Sequence, residues 1–289
     1  MNVAFIYNPR AGVRRTDIAG QLRAFGREPG RSAEIFTTTG RGHATELARE
    51  AVRAGCDIVA AVGGDGTVNE TGRALAGTGV ALALVPRGSG NGLARHLRVP
   101  LDAAGALAVL RRGRVRTIDT GMANGRLFLC TMGAGFDAAV VRRFEALPRR
   151  GIAAYFGAGA LELLRYRPER LRLSVDGGDE FARRPLFTVV ANAAQFGSGA
   201  RIAPHARVDD GRLDLVSVDA VNPFQAGPLL WRLFRGTIDR SRHVLTRPGT
   251  RFTLERDSPG PMHVDGELVE TAARVEIEVR PASLRVIAP

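Results

Sequence analysis

Lysine is absent from this chain of 289 residues, so every cationic side chain is arginine or histidine. A phosphate-binding loop built on lysine is therefore excluded, and any phosphate must be held by backbone N–H groups, arginine or a metal ion. Cysteine is scarce, with only Cys56 and Cys130. Each flanks an apolar, strand-like run, which predicts buried free thiols in a reducing cytoplasm rather than a disulfide scaffold. Aromatic residues make up 6%, and no recognition-helix or RNA-binding aromatic pattern is present, so nucleic acid is not an expected partner. No apolar run reaches the roughly 18 residues of a membrane-spanning helix. The apolar start at Met1 is too short, and too poor in basic residues, for a signal peptide.

What remains describes a folded, basic protein. Hydrophobic residues make up 45% and the formal net charge is +12. That composition supports a sizeable core and one large or two medium domains. The charge suits nucleic acid, anionic lipid or nucleotide as ligand.

The densest local signal is Gly63-Gly64-Asp65-Gly66-Thr67-Val68-Asn69-Glu70. An apolar run, Asp57 to Val62, enters it as a strand. Val68, Gly72, Leu75 and Ala76 leave it at helical spacing. Glycines at such a turn let backbone amides approach a ligand, and the helix N-terminus adds partial positive charge, which suits phosphate. A carboxylate there would repel phosphate unless a divalent cation lies between them, so Asp65 is a candidate for Mg²⁺-linked chemistry.

Other strand ends repeat the pattern. Val3 to Tyr7 leads into Asn8-Pro9-Arg10-Ala11-Gly12, where Arg10 and Arg14 add charge. Ala33 to Thr37 leads into Thr38, Thr39 and His43, with His43 read as a first-turn helix residue. Val80 to Val85 leads into a second glycine loop, Gly88-Ser89-Gly90-Asn91-Gly92. Ligands of open α/β sheets bind beyond the carboxyl ends of strands, so these loops point to one phosphate-bearing ligand. Helices are expected at about 17–25, 43–54 and 101–110. After residue 114 the pattern changes to short β-like runs at 115–119, 126–132, 170–175, 186–192 and 213–218, read as a β-rich domain beginning near residue 118. Helices are expected within them at 135–147 and 152–166, and strands at 275–279 and 283–287. The apolar helices beside Arg142, Arg143, Arg149 and Arg150 suit either a core or a bilayer surface.

The octet resembles the signature of the diacylglycerol kinase catalytic family, which includes bacterial lipid kinases and sphingosine kinases. NAD kinases and phosphofructokinases carry a shorter relative of it. The Asn8–Gly12 segment, Thr38 and the second glycine loop resemble the same family's nucleotide segments. Asn91-Gly92 stands where many bacterial members have Asn-Asp. Asp209-Asp210-Gly211-Arg212-Leu213 and Asp265-Gly266-Glu267 resemble two further motifs, in family order.

The resemblance implies an α/β N-terminal domain with a parallel sheet (residues 1–118, rejoined by about 281–289) and a β-rich, sandwich-like second domain (119–280). It puts the active site in the cleft between them. It implies ATP bound by Asn8, Pro9, Arg10, Ala11, Gly12, Thr38, Gly63 through Glu70, Gly88, Ser89 and Asn91. A catalytic Mg²⁺ is implied at Asp65. A structural Mg²⁺ is implied at the Asp210 carboxylate and the backbone carbonyls of Arg207 and Arg212. Glu267 is implied as general base, with Asp265 orienting it or holding metal. The expected partner is a lipid acceptor at an anionic membrane surface, with peripheral association from the cytoplasm; a homodimer stays open. A soluble acceptor, as in NAD kinase, and a non-catalytic nucleotide or membrane binder are the alternatives.

Overall fold

The computed structural model describes residues 1–12, 17–145, 157, 159 and 166–289. The chain divides into two units, Met1–Ile118 with Ala282–Pro289, and Asp119–Pro281.

In the first unit, apolar runs without alternation become strands covered on both faces. These are β1 (Asn2–Tyr7), β3 (Ile58–Gly63) and β4 (Ala81–Pro86); every residue of β3 and β4 is buried. With β2 (Ser32–Thr37) they form a parallel sheet in the order β2-β1-β3-β4. The helices between them are α1 (Ile18–Gly26), α2 (His43–Arg53) and α3 (Asp65–Leu75), followed by α4 (Gly92–His96) and α5 (Ala103–Arg112). Local chemistry sets their starts. Asp17 caps α1 by accepting from the Gly20 amide, and Asp102 caps α5 by accepting from Gly105, so α5 begins after Leu101 rather than at it. Phe5 of β1 and Phe25 of α1 pack edge to face at 5.6 Å, tying helix to sheet.

The second unit is built from antiparallel pairs. The strands are β5 (Arg114–Ala123), which crosses the unit boundary, β6 (Arg126–Phe128), β7 (Thr131–Gly135), β8 (Leu171–Val175), β9 (Phe181–Arg183) and β10 (Pro185–Ala191). They continue with β11 (Gln195–Gly197), β12 (Ala200–Arg201), β13 (Leu213–Asp219) and β14 (Val244–Gly249). The last are β15 (Arg251–Arg256), β16 (Gly260–Val264), β17 (Glu267–Thr271) and β18 (Arg274–Ala288). Helix α6 (Phe136–Glu145) follows β7, and α7 (Pro223–Arg235) follows β13.

One sheet runs β14-β13-β10-β7-β16-β17. Alternation along β10 and β13 sends side chains to opposite faces. Val190, Leu213 and Leu215 join Phe252, Leu254, Val275 and Ile277 of β15 and β18 in the core between the two β layers. Val189, Ala191, Val216 and Val218 face the other way, onto Ile202, Ile238 and Leu229 of α7.

The final strand serves both units. Its first half pairs antiparallel with β15, and Arg285 and Val286 pair in parallel with β4.

The strands expected at 275–279 and 283–287 are one continuous strand, Arg274–Ala288, and other expectations change too. The run 126–132, read as one strand, is two, because the chain turns at Leu129-Cys130 to offer its amides to Asp265. The helix expected at 135–147 is Phe136–Glu145 over the described residues. The helix expected at 152–166 lies outside the described residues except at 157, 159 and 166, and Arg149, Arg150 and Arg14 lie outside them.

Candidate active site

In the first unit the predicted loops meet at the carboxyl ends of β1, β3 and β4. Asn8 Nδ2 donates to Thr67 Oγ1 at 3.0 Å, and Asn8 Oδ1 accepts from the Arg10 amide at 3.0 Å. The first contact ties the loop after β1 to α3, and the second is a side-chain turn that pins Pro9-Arg10. Gly12, at φ +77°, lies so close to the second glycine loop that a Cβ there would sit 2.6 Å from the Arg87 carbonyl. Arg87 Nε in turn donates to the Ala11 carbonyl at 3.2 Å.

The two glycine loops touch at Gly64 and Gly88, where a Cβ on Gly88 would lie 2.8 Å from Gly64 Cα. A Cβ at Gly88 would force the loops apart, while one at Gly64 would stand 3.3 Å from Gly88 Cα, so the approach depends chiefly on Gly88. Asp65 locks it. Its Oδ2 accepts from the Asn91 amide at 2.8 Å and its Oδ1 from the Gly92 amide at 2.7 Å. Asn91, at φ +52°, closes the loop on itself by exchanging hydrogen bonds with both backbone groups of Gly88.

Glu70 reaches a third segment. Its carboxylate accepts from the amides of Gly42 and Ala44 at the N-terminus of α2. Thr38 is buried and its amide donates to the Tyr7 carbonyl, while His43 Nδ1 faces the amide and hydroxyl of Thr39. Thr67 and Asn69 are buried, Val68 donates back to the Gly64 carbonyl, and Gly66 and Ser89 are exposed. The N-cap of α3 is Gly64, which brings no side chain to the helix end. A glycine-lined helix N-terminus of this kind accommodates an anion.

The second unit joins its two acidic motifs through one hydrogen-bond network. Asp265 and Gly266, at φ +50° and +79°, form the two-residue turn between β16 and β17. Asp-Gly is favoured there because both central residues need positive φ. The Asp265 carboxylate turns inward and accepts from the amides of Leu129, Cys130 and Thr131 at 2.7, 2.8 and 2.9 Å. Its own amide donates to the Thr131 carbonyl. The Leu129 carbonyl accepts from Asn192 Nδ2, which also donates to the Asp119 carbonyl. Asp119 Oδ2 accepts from the Gly211 amide at 2.7 Å, inside the acidic turn. Glu267, half-buried, is the first residue of β17 and follows the clasped turn directly.

Sequence reasoning missed Asp119, Asn192 and a buried pair behind the turn. His263 Nε2 lies 3.0 Å from Asp137 Oδ2, and His263 Nδ1 faces the Gly266 amide at 3.4 Å. The amide contact makes Nδ1 the acceptor, so the partners assign the ring proton to Nε2, aimed at Asp137. A Cβ at Gly133 would collide with the Asp137 carboxylate and stand 2.6 Å from His263 Nε2. The sequence signal was present in Gly133-Ala134-Gly135-Phe136-Asp137 and in His263, but their pairing is tertiary.

Among the described residues no group of three or more His, Cys, Asp or Glu side chains is arranged to hold a metal. A cation at the acidic turn would therefore draw on backbone carbonyls as well as Asp210, which is the set implied for Arg207 and Arg212. The donors fit a hard cation. Asp214, half-buried one strand position beyond Leu213, is a carboxylate close enough to feel the Asp210 charge, and the sequence reading left it out of the metal set. Burial pushes the Asp214 carboxyl above its usual range, and the Asp210 charge pushes the same way while His205 opposes both. A divalent cation would relieve that repulsion. The Asp210 carboxylate accepts from the Arg212 amide at 3.1 Å, and Arg207 pairs with Asp209 at 3.4 Å.

The free thiols differ from expectation in one respect: Cys130 is buried but Cys56 only partly so. Burial, then Glu34 and Asp57, push the Cys56 thiol up, which disfavours a reactive thiolate.

Comparison with known proteins covers both units. The family model described as "Diacylglycerol kinase catalytic domain" matches residues 2–123. The model described as "YegS C-terminal NAD kinase beta sandwich-like domain" matches residues 130–288. A "Probable lipid kinase YegS-like" of Pseudomonas aeruginosa (strain UCBPP-PA14) is 34% identical over 267 residues, 91% of this chain and 87% of its own. A "Diacylglycerol kinase" of Mycobacterium tuberculosis (strain ATCC 25618 / H37Rv) is 31% identical over 254 residues, 85% of this chain and 81% of its own. The solved structure of a putative diacylglycerol kinase from Bacillus anthracis str. Sterne superposes with a TM-score of 0.77 at 23% identity, covering 100% of this chain and 97% of that one. Yeast NADH kinase superposes with a TM-score of 0.55 at 10% identity, covering 100% of this chain and 84% of that one. The last two show the fold alone, an α/β unit with a parallel sheet followed by a β-sandwich.

Proposed function

This chain belongs to the diacylglycerol kinase catalytic-domain family, and on that premise we propose that it transfers the γ-phosphate of ATP to a hydroxyl of a lipid, with Mg²⁺. The observation that carries the reading is the clasped Asp-Gly-Glu turn. Three backbone amides hold Asp265, so Glu267 leaves a fixed point rather than a mobile loop tip. A carboxylate so placed can accept the proton of an acceptor hydroxyl.

The first unit supplies the complementary part. The α3 N-terminus and the apposed glycine loops receive phosphate through backbone donors. Asp65 keeps those loops together and is the carboxylate at this end of the sheet that a cation would meet. Magnesium, when bound, neutralises charge on the phosphate oxygens, and Asp65 and Asp210 are the carboxylates that would hold it in the two units. In the transfer, the lipid oxygen bonds to the γ-phosphorus and its proton passes to Glu267. The bond from the γ-phosphorus to the bridging oxygen breaks, and ADP leaves.

The test is transfer from γ-labelled ATP into a total lipid extract with Mg²⁺, for wild type and Glu267→Gln. A labelled lipid that falls by about 10²- to 10⁴-fold in the variant supports both acceptor class and base. Labelled dinucleotide with no labelled lipid would replace this reading by a soluble acceptor. ATP binding with no labelled product would make the chain a non-catalytic member.

A further inference from the structure

Helix α7 inverts the usual pattern of a surface helix. Its inner side is apolar, with Leu229 buried in the outer core of the six-stranded sheet and Leu233 packed beside it. Its outer side is also apolar. Phe224, Gly227, Pro228, Leu230, Trp231, Phe234 and Arg235 are exposed. At 100° per residue these span one continuous face. Among the described residues seven large apolar side chains are exposed, and four of them, Phe224, Leu230, Trp231 and Phe234, lie on this helix. Phe224 is 91% exposed and Trp231 59%.

The helix is not a frayed end. Asn222 and Gln225 form a reciprocal capping box at its start, and Gly236 closes it at φ +65°. A well-capped helix that keeps its large apolar side chains in solvent marks an interaction surface.

Charge indicates what covers it. Residues 223–235 contain no Asp or Glu, and Arg232 and Arg235 lie in the last turn. Arg235 stacks on the Trp231 ring at 5.2 Å. Arg240 and Arg242 follow, both exposed, and the Arg201 side chain lies beside Gly236. Asp239, close by in sequence, faces His205 at 3.4 Å. Aromatic and aliphatic side chains flanked by arginine match the boundary between acyl chains and anionic headgroups.

We propose that the outer face of α7 docks on an anionic lipid bilayer, inserting Phe224, Trp231 and Phe234 at headgroup depth while the arginines meet phosphate. The choice of a bilayer over a second copy of the chain rests on the lipid-acceptor reading above.

Trp231 is the chain's single tryptophan, so its fluorescence reports on this face without labelling. The full chain is titrated with vesicles of phosphatidylcholine alone and with phosphatidylglycerol added, some carrying brominated acyl chains. The expected result is a blue shift and bromine quenching with the anionic vesicles. Phe224→Ser and Arg235→Glu should each weaken vesicle binding by roughly tenfold or more. Both should leave lipid phosphorylation in detergent micelles at the wild-type rate. No blue shift with anionic vesicles overturns the proposal. So does a shift that follows protein concentration without vesicles and accompanies dimer formation in sedimentation. Micellar turnover with no Trp231 insertion would remove the docking surface and leave the kinase reading intact. Insertion with no lipid phosphorylation would do the reverse.

Discussion

The glycine loop of the first unit and the hairpin turn of the second each place an aspartate inside the motif, and both aspartates grip backbone amides of a distant segment. Asp65 holds the amides of Asn91 and Gly92. Asp265 holds those of Leu129, Cys130 and Thr131. The neighbours of the two clasps differ. Beside Asp65 stands a helix N-terminus, rich in donors and suited to an anion. Beside Asp265 stands Glu267, an acceptor suited to a proton. The same device thus sits beside two opposite kinds of group, donors in one unit and a carboxylate in the other, and the aspartate conspicuous in each motif fixes the backbone around them.

The sharpest test separates clasp from base in the second unit. Glu267→Gln should lower turnover by about 10³-fold with an unchanged melting temperature. Steady-state transfer beside a thermal melt would show it, and a shared loss of rate and stability would erase the distinction. Asp265→Ala leaves three amides without their acceptor and should cost about 3 kcal/mol in denaturant unfolding. An unfolding midpoint equal to wild type would mean that Asp265 does not hold the turn. Asp65→Asn keeps one acceptor oxygen and should cost only about 1 kcal/mol, with weaker nucleotide binding by calorimetry. If it proved as damaging to folding as the Asp265 change, the two clasps would not be graded as their bonding suggests.

Smaller effects concern the acidic turn. Asp214 has a raised carboxyl in the folded chain, so folding binds protons there and stability falls as pH rises past the unfolded carboxylate range, about 4. Asp214→Asn should therefore raise the melting temperature slightly at pH 7 without magnesium, and wild type should gain more than the variant when magnesium is added. An equal response would remove Asp214 from the cation site. The smallest effect is at Asp176. Burial pushes its carboxyl up, but hydrogen bonds from Thr250 and from the Arg251 amide outweigh that and hold it low. Its contribution is present above the unfolded carboxylate pKa and is lost as pH falls below about 4. Acid titration of Asp176→Asn should show a shallower loss than wild type.

Much of this was legible in the chain. Ile58–Gly63 and Ala81–Pro86 announced parallel strands because burial on both faces removes alternation. The two glycine loops and both acidic turns were visible as residue types at strand ends. Their bonding was not. That Asp65 spends its oxygens on Asn91-Gly92, or that Cys130 interrupts a strand to serve Asp265, depends on segments 26 to 136 residues apart. Arg142, read with its neighbours as a candidate bilayer contact, pairs with Glu270. The stretch 223–235 went unread because apolar residues around a helix resemble a core helix, and only exposure tells the two apart.

The strand Arg274–Ala288 carries a consequence for how the chain is made. The Ser283 carbonyl accepts from the Gly77 amide, and Arg285 donates to the Gly79 carbonyl, so the first unit's sheet lacks the strand beside β4 until those residues have been synthesised. Contacts that span some two hundred positions are slow to form and leave an edge strand bare in the interval. During translation β4 waits with one edge uncovered while the whole second unit emerges.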